Sequence, residues 1–387
     1  MYVTRPLSMY RKSPSTLSSE PPEGPYSGFL IITDEEAEAE DTFCFGGCKR
    51  RRVKSLPFPQ DKILAVVDSP DYKDTSVTKV LFIPVLDQPL SSNHYYVIRA
   101  KGKYKGQVCV CSSQMDMGFY CFRNVINDKK PKPFDHRNIY QHMKIHRHHR
   151  HSFFARSVAP DGFPPAFLRK KGWEVHSSRL YRSRLDEALG LDVSLRRHLP
   201  STNFPISKKS SEPVVVGEWY CPFLFVREEN RLRHQMEKSV FYKMTLEQCW
   251  AQIYGCENTG NGDNVVNINK RVQREVNYVF GLEAMRDNKI SHGGFYWYRT
   301  RNQRVSLGLS YVIVEKMKWV LEEVGWVSGG ERETRVERVE EKRNGENDWR
   351  RFGCYVLVES FVLSRLDGSL MLKCEFRHTQ RIHCKWE

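Results

Sequence analysis

No apolar run in this chain approaches the roughly 18 residues that mark a membrane-spanning helix, so a transmembrane helix is excluded. Residues 1–30 carry Ser and Pro where a secretory leader would hold an apolar core of about 7–15 residues, so export is not expected. There is no Asn-x-Ser/Thr acceptor for glycosylation. The eleven cysteines are odd in number and scattered, not set in a tight framework. Together these absences point to free thiols in a reducing compartment. The expected location is the cytoplasm, with the nucleus as the alternative. The motif absences are as informative. Neither a Gly-rich phosphate loop nor a dinucleotide fingerprint is present, and no G-x-S-x-G nucleophile elbow appears.

What is there is a chain of 387 residues, 40% hydrophobic and 12% aromatic, long enough for two domains of ordinary size. The formal net charge is +15. Such a surface favours encounter with anionic partners, nucleic acid included, but no nucleic-acid module is recognisable. A protein partner is the expected one. Lys49-Arg50-Arg51-Arg52 could serve nuclear import, though a solvated turn explains it more simply.

Two long runs between Val265 and Val324 dominate the second half. In the first, Val266, Ile268, Val272, Val276, Tyr278 and Phe280 share one parity, and Asn, Arg, Gln and Glu fill the other. Side chains alternate across a strand, so the pattern predicts a strand with one apolar face. The second run has Leu307, Leu309, Tyr311 and Ile313 at the same spacing, which predicts a strand to about Trp319. Ile313, Met317, Val320 and Val324 also fit a helix, the rival assignment. Asp367-Gly368 between two apolar runs predicts a hairpin that pairs Phe361 with Cys374 and Leu363 with Leu372. Thr245 and Gln248 fit a capping box, with Gly255 as a C-cap, and predict a short helix near 245–254 whose buried face includes Trp250.

Earlier in the chain, residues 1–27 are Ser- and Pro-rich and predict a tail, pinned at Tyr2 and Tyr10. Gly28–Thr33 predicts a short strand, and the acidic run Asp34–Asp41 a solvated loop. Short Val-, Ile- and Tyr-rich runs between Ile63 and Phe122 predict a β-rich region. Residues 157–173 predict a looped path forced by Pro160, Pro164 and Pro165, and 180–199 one or two short helices. Ser328–Glu346, dense in charge, predicts a solvated excursion or a weak hairpin edge. The Ser- and Lys-rich segment 200–212 is the best boundary. The expectation is therefore an α+β, strand-dominated protein with antiparallel sheets and a few short helices. It would have two domains, residues 28–205 and 213–387, after the 1–27 tail.

Few residues invite chemistry. His142, His146, His148, His149 and His151 form the densest ligand-type run, but Arg147 and Arg150 repel a cation there, and a basic exposed loop is the simpler account. The spacings Cys44-x-x-x-Cys48 and Cys109-x-Cys111 are not those of a zinc knuckle. Cys109 and Cys111 are expected to face one side of a strand as small hydrophobes. Phe295-Tyr296-Trp297-Tyr298-Arg299 could stack nucleic-acid bases. The plainer expectation is a strand with Phe295 and Trp297 inward and Tyr296 and Tyr298 outward. No catalytic, cofactor-binding or metal-binding residue is assigned, and no cofactor is expected.

Several blocks resemble one family. They are MYVTRPLSMYRKSPS, PPEGP at Pro21–Pro25, LPFPQ at Leu56–Gln60, and FIPVLDQPLSSN at Phe82–Asn93. SVAPDGFPPAFLRKKGW, VVVGEWYCPF, FYKMTLEQCW, LDGSL and the closing KWE continue the series. Together they resemble the plant-specific family filed as domain of unknown function 1262. The resemblance implies a soluble land-plant protein of a multigene family and supplies no activity. The expected function is a non-enzymatic binding or regulatory protein. One alternative is an aerolysin-like, β-rich membrane-acting protein, suggested by the amphipathic runs of Val265–Trp319. The other is an enzyme whose site is assembled between residues 130–200 and 214–299.

Overall fold

The computed structural model describes all residues except 22, 41, 44–47, 50–51, 69–75, 121–122, 181–184, 230, 259–263, 327–331 and 343–348. Strands of five or more residues are numbered in chain order.

The predicted N-terminal tail is not a tail. β1 (Tyr2–Pro6) lies parallel to β2 (Gly28–Ile32), and Tyr2 also pairs with Tyr220 across the chain. Met1, Tyr2 and Val3 are buried. Their apolar side chains drive the docking, and the Ser- and Pro-rich composition belongs only to the residues after α1 (Leu7–Lys12). The acidic run is helix α2 (Glu35–Glu40), not a loop. Ala37 is its buried residue, and the glutamates near its start suit the positive end of the helix.

The chain then builds a second sheet. Its strands include β3 (Lys62–Asp68), β4 (Ser76–Pro84), β5 (His94–Arg99), β6 (His142–Arg147), β7 (Phe153–Ser157) and β8 (Glu174–Leu180). With the short strand Arg52–Val53 they form a seven-stranded antiparallel sheet in the order β7, β6, β5, β4, β3, β8, Arg52–Val53. Phe58, Phe82, Tyr95, Phe153 and Trp173 fill its core. The proline-rich 157–173 stretch is mostly loop around α3 (Ala166–Arg169), and α4 (Val193–His198) is the short helix expected before the 200–212 segment.

After residue 212 the chain returns to the first sheet, so residues from both sides of the expected boundary share it. β9 (Val214–Pro222) joins β1, and β10 (Phe241–Glu257) joins β9. Between them lie the short strand Val226–Glu228 and α5 (Leu232–Lys238). β10 occupies the place of the predicted helix. Tyr242, Met244, Leu246, Gln248 and Trp250 alternate inward along it, a period of two. The capping-box residues are mid-strand, and Gly255 pairs with Gly353 instead of capping anything.

β11 (Val265–Gln273) and β12 (Glu275–Val279) are the predicted first run. Val266, Ile268, Val272 and Val276 are buried as expected, while Phe280 is exposed. Phe280 and Gly281, both at positive φ, turn the chain between Val279 and Leu282, which pair. β13 (Leu282–Arg286), β14 (Phe295–Thr300) and β15 (Ser306–Ser310) continue the large sheet. The second run then departs from the strand expectation. Residues after Ser310 form α6 (Tyr311–Glu322), with Ile313, Met317, Val320 and Leu321 buried. The helical spacing of those four residues outweighs the shorter alternation before them.

β16 (Glu333–Glu341) pairs with β11 alone, as a separate two-stranded sheet, so the charged segment holds a strand paired with a distant one and not a hairpin edge. β17 (Arg351–Arg365) and β18 (Leu370–Trp386) form the C-terminal hairpin. Phe361 pairs with Cys374 and Leu363 with Leu372, as the pattern predicts. The loop is one residue longer than expected. Arg365 N donates to Ser369 O at 2.9 Å, Gly368 alone of the three loop residues has positive φ, and a bulge after Leu363 restores the register.

The large sheet has twelve strands. Its main path runs Val226–Glu228, β15, β14, β13, β12, β18, β17, β10, β9, β1, β2. No helix among the described residues is long and apolar enough to cross a membrane.

Candidate functional site

β10, β17 and β18 make a ribbon of unusual length, with 17, 15 and 17 residues. A three-residue excess in β18 interrupts it. Leu357 pairs with His378, Val356 pairs with Ile382, and Thr379–Arg381 bulge between them. At this joint sits a buried charged cluster. Arg196 of α4 grips Glu359 of β17 with two hydrogen bonds, Nε to Oε1 and Nη2 to Oε2, both 2.7 Å. Arg196 Nη1 also donates to the Val320 carbonyl at 2.8 Å, near the end of α6. Gln248 of β10 donates to Glu359 Oε1 at 2.9 Å, and His378 Nε2 lies 3.0 Å from Oε2. Burial alone would raise the Glu359 pKa. Hydrogen bonds from His378 and Arg196, with their charge, outweigh it and hold the carboxyl at about 2. Side chains from α4, β10 and β18 thus converge on one carboxylate of β17, and Arg196 links it to α6.

A second cluster lies at the hairpin end of the ribbon. Arg365 pairs with Glu228 at 2.7 Å, and the Tyr242 hydroxyl donates to the same carboxylate at 2.5 Å. Gln235 of α5 donates to Tyr242 Oη at 3.1 Å. Burial, then the Glu228 charge, pushes the Tyr242 hydroxyl far up. Beside this cluster a cleft of about 200 Å³ opens on the outward face of the ribbon, lined among others by Asp186, Tyr220, Lys243, Thr245, Ser364 and Arg365.

The third cluster ties α6 to the start of the chain. The Lys316 ammonium is 3.1 Å from Ser27 Oγ, 4.0 Å from Glu23 Oε2, and 4.3 Å from the centre of the Trp319 ring. Burial pulls its pKa down to about 8, and Glu23 only partly offsets this. Glu23 also accepts from Trp219 Nε1 and from the Leu191 backbone, each at 2.5 Å. The PPEGP and GEWYCP blocks therefore meet at this carboxylate.

The residues that the sequence singles out are placed otherwise. His142 and His146 lie on β6. Four residues along a strand span about 13 Å, too far for joint ligation of one ion. His142 packs edge-on against Tyr96, with burial and the nearby His94 and His136 lowering its pKa to about 4. His146 stacks on Phe154 at 4.9 Å. The run is thus strand and turn against aromatic rings, not an open loop. Cys109 and Cys111 are buried in one core, where burial raises their pKa values to about 12 and about 11. Cys44 lies outside the described residues, as do Arg50 and Arg51 of the basic run. In β14 the expected facing is reversed at two positions: Tyr298 is buried, while Trp297 is half-buried under the Arg299 guanidinium, 5.4 Å away. Leu307 of β15 pairs opposite Tyr298 and draws its ring into the core.

None of the three clusters is picked out as a site from sequence, where Gln248 enters only as a helix cap. Signals exist: Glu359 interrupts the apolar stretch YVLVESFVL, and Gln248 interrupts an otherwise apolar stripe. Their partners Arg196 and His378 are 163 and 19 residues from Glu359, beyond any local pattern.

A family model described as a protein of unknown function, DUF1262, matches residues 23–122. The structure titled "Crystal structure of Cry35Ab1" is similar over 85% of this chain and 90% of that one, at 12% identity and a TM-score of 0.46. No curated protein matches the chain.

Proposed function

We propose that the chain is a non-enzymatic binding or regulatory protein that recognises a protein partner through its surface. One observation carries this: the interior charges are tied to one another where elements meet, Arg196 to Glu359, Arg365 to Glu228 and Lys316 to Glu23. Such groups hold elements together, and proton exchange with a substrate would break the joints they make. The cleft of about 200 Å³ is smaller than the roughly 300–1,000 Å³ of a typical small-molecule pocket. The +15 net charge suits an anionic protein surface, and at the cleft Lys243, paired with Glu218 at 2.9 Å, is the cation such a surface would compete for. The setting that fits best is the plant cytosol, since the eight cysteines from Cys109 onward whose side chains are described are free thiols.

The test uses the immobilised full chain and its Lys243→Glu variant in a plant cell extract, followed by titration of any purified partner. The expected result is one reproducible partner that binds saturably and loses at least about tenfold in affinity with the variant, about 1.4 kcal/mol. Background proteins alone would sink the proposal. For the enzyme alternative, this cleft offers Asp186, Tyr220, Lys243 and Thr245 in its lining.

A membrane-acting role has one observation in its favour: β11 and β16 form a ribbon with its own pairing. Its buried face tells against lipid. Val266, Ile268 and Val272 share that face with Lys270, and their partners are Glu340, Arg338 and Thr334. A Lys or Arg at the bilayer midplane costs about 2–4 kcal/mol on such a strand. Absence of leakage from anionic and neutral liposomes across pH would close this alternative.

A further inference from the structure

We propose that Cys354 and Cys384 form a reversible disulfide, a redox modification site at the far end of the ribbon that takes a small peroxide as its oxidant. The two residues are register partners on β17 and β18. Arg351 and Glu387 exchange both backbone hydrogen bonds, each 2.9 Å. The register then runs without a shift from Phe352–Trp386 to Val356–Ile382. Antiparallel pairs alternate between bonded and non-bonded, so Gly353–Lys385 is bonded and Cys354–Cys384 is non-bonded. Cα atoms in a non-bonded pair lie about 4.5 Å apart, inside the roughly 4.4–6.8 Å that a disulfide spans. The side chains point to the same side, and the two thiols already hydrogen-bond to each other. Among the described residues no other two cysteines are strand partners.

The surroundings distinguish the two sulfurs. Cys354 is fully buried, and Cys384 is half-buried and meets the oxidant. The hydrogen bond between the sulfurs favours the thiolate on buried Cys354 and the thiol on Cys384; Cys354 therefore takes the proton of Cys384, which becomes the nucleophile. The Cys384 sulfur attacks one peroxide oxygen, the O–O bond breaks, and hydroxide leaves and takes a proton as water. The Cys384 sulfenic acid is then attacked by Cys354. The S–S bond forms as the S–O bond breaks, and a second water leaves. The pair loses two electrons and two protons, and one peroxide becomes two waters. A dithiol reductant reverses the bond by exchange. The bond would tie the ribbon end beneath β11, whose Val266 and Ile268 cover the same face.

The test treats the full chain with hydrogen peroxide, blocks remaining thiols, and maps linked peptides by mass spectrometry. The expected product is one Cys354–Cys384 link, with loss of two hydrogens, reversed by dithiothreitol. Cys384→Ser should abolish the link. Cys256→Ser, on the same covered face, should leave it unchanged. Hydrogen exchange in residues 351–356 and 382–386 should slow in the oxidised wild type, a readout independent of any variant. The proposal is overturned if Cys384 proceeds to sulfinic acid with no link, or if the link joins Cys256 instead.

Discussion

The two ends of the long ribbon are built from the same three strands and are stabilised in different ways. At the hairpin end, Leu246, Phe361, Leu363 and Cys374 face a large core that includes Ile313, Met317 and Val320 of α6. The opposite face there is left open and forms the cleft of Lys243, Thr245 and Ser364. At the far end the arrangement is divided. One face holds Trp250, Tyr355 and Leu357 in a small cluster with Leu199 and Phe204. The other holds Phe352, Cys354 and Trp386 beneath β11. The hairpin end is anchored by one continuous core, and the far end by two thin ones. The Glu359 cluster sits between them, where the bulge in β18 breaks the ribbon. A bulge bends the strand, and beside this one Arg196, Gln248 and His378 all bond to the Glu359 carboxylate.

The joint should be the costliest place to break. Glu359→Ala leaves Arg196 buried without its carboxylate, and removing one partner of a buried pair typically costs about 3–5 kcal/mol. Denaturant titration measures it. A loss below about 1 kcal/mol would show that the cluster is not what joins the two ends. The same carboxyl sets an acid limit. Its folded pKa of about 2 lies below the roughly 4.3 of an unfolded glutamate, so its contribution is present above that value. It is lost as pH falls from about 4.3 toward 2, because the unfolded chain binds the proton first. Glu359→Gln should flatten stability against pH within that window and lower stability above about pH 5, where the carboxylate's contribution is fully present.

The contrast between the ends is sharpened by two truncations. Phe361→Ala empties a site in the continuous core, with an expected cost of about 4 kcal/mol and a global loss of stability. Ile268→Ala empties a site under a two-stranded cover that can settle inward, with an expected cost nearer 2 kcal/mol. Its effect should be local, with faster hydrogen exchange in β11 and β16 and in the strands beneath them. If both variants unfold the whole chain with equal cost, the far end is not a separate unit of stability.

The same contrast governs what can be read from the sequence. The hairpin end is legible because its register follows from a turn and a run of apolar pairs, and Phe361–Cys374 and Leu363–Leu372 come directly from them. The joint is not. Gln248 occupies an inward position of β10 for the sake of Glu359, and that one polar residue disguises a period of two as a helix with a capping box. α6 misleads for a related reason. Leu307 and Leu309 alternate as a strand up to Ser310, and only the packing of Ile313, Met317 and Val320 marks where the helix takes over. The N-terminal strand is hidden because its pairing with β2 and Tyr220 is set by distant residues that no local pattern reports. The three charged clusters join elements far apart in sequence, so their polar members look isolated until the fold brings them together.

The smallest expected effect tests the hairpin itself. In a two-residue loop both Asp367 and Gly368 would need positive φ, whereas the longer loop asks it of Gly368 alone, at +86°. An added Cβ at Gly368 would meet nothing within 4 Å, so a substitution there carries backbone strain without a clash. Gly368→Ala should therefore cost about 1 kcal/mol, the usual penalty for a side chain in the left-handed region. Asp367→Ala would lose the carboxylate that accepts from Ser369 N at 2.9 Å, but no strain changes there, and about 0.5 kcal/mol is expected. Reversal of that order would mean that the strain sits at Asp367 and the loop is the two-residue kind. The bulge after Leu363 would then have no turn to compensate, and the pairing of the hairpin end would need another cause.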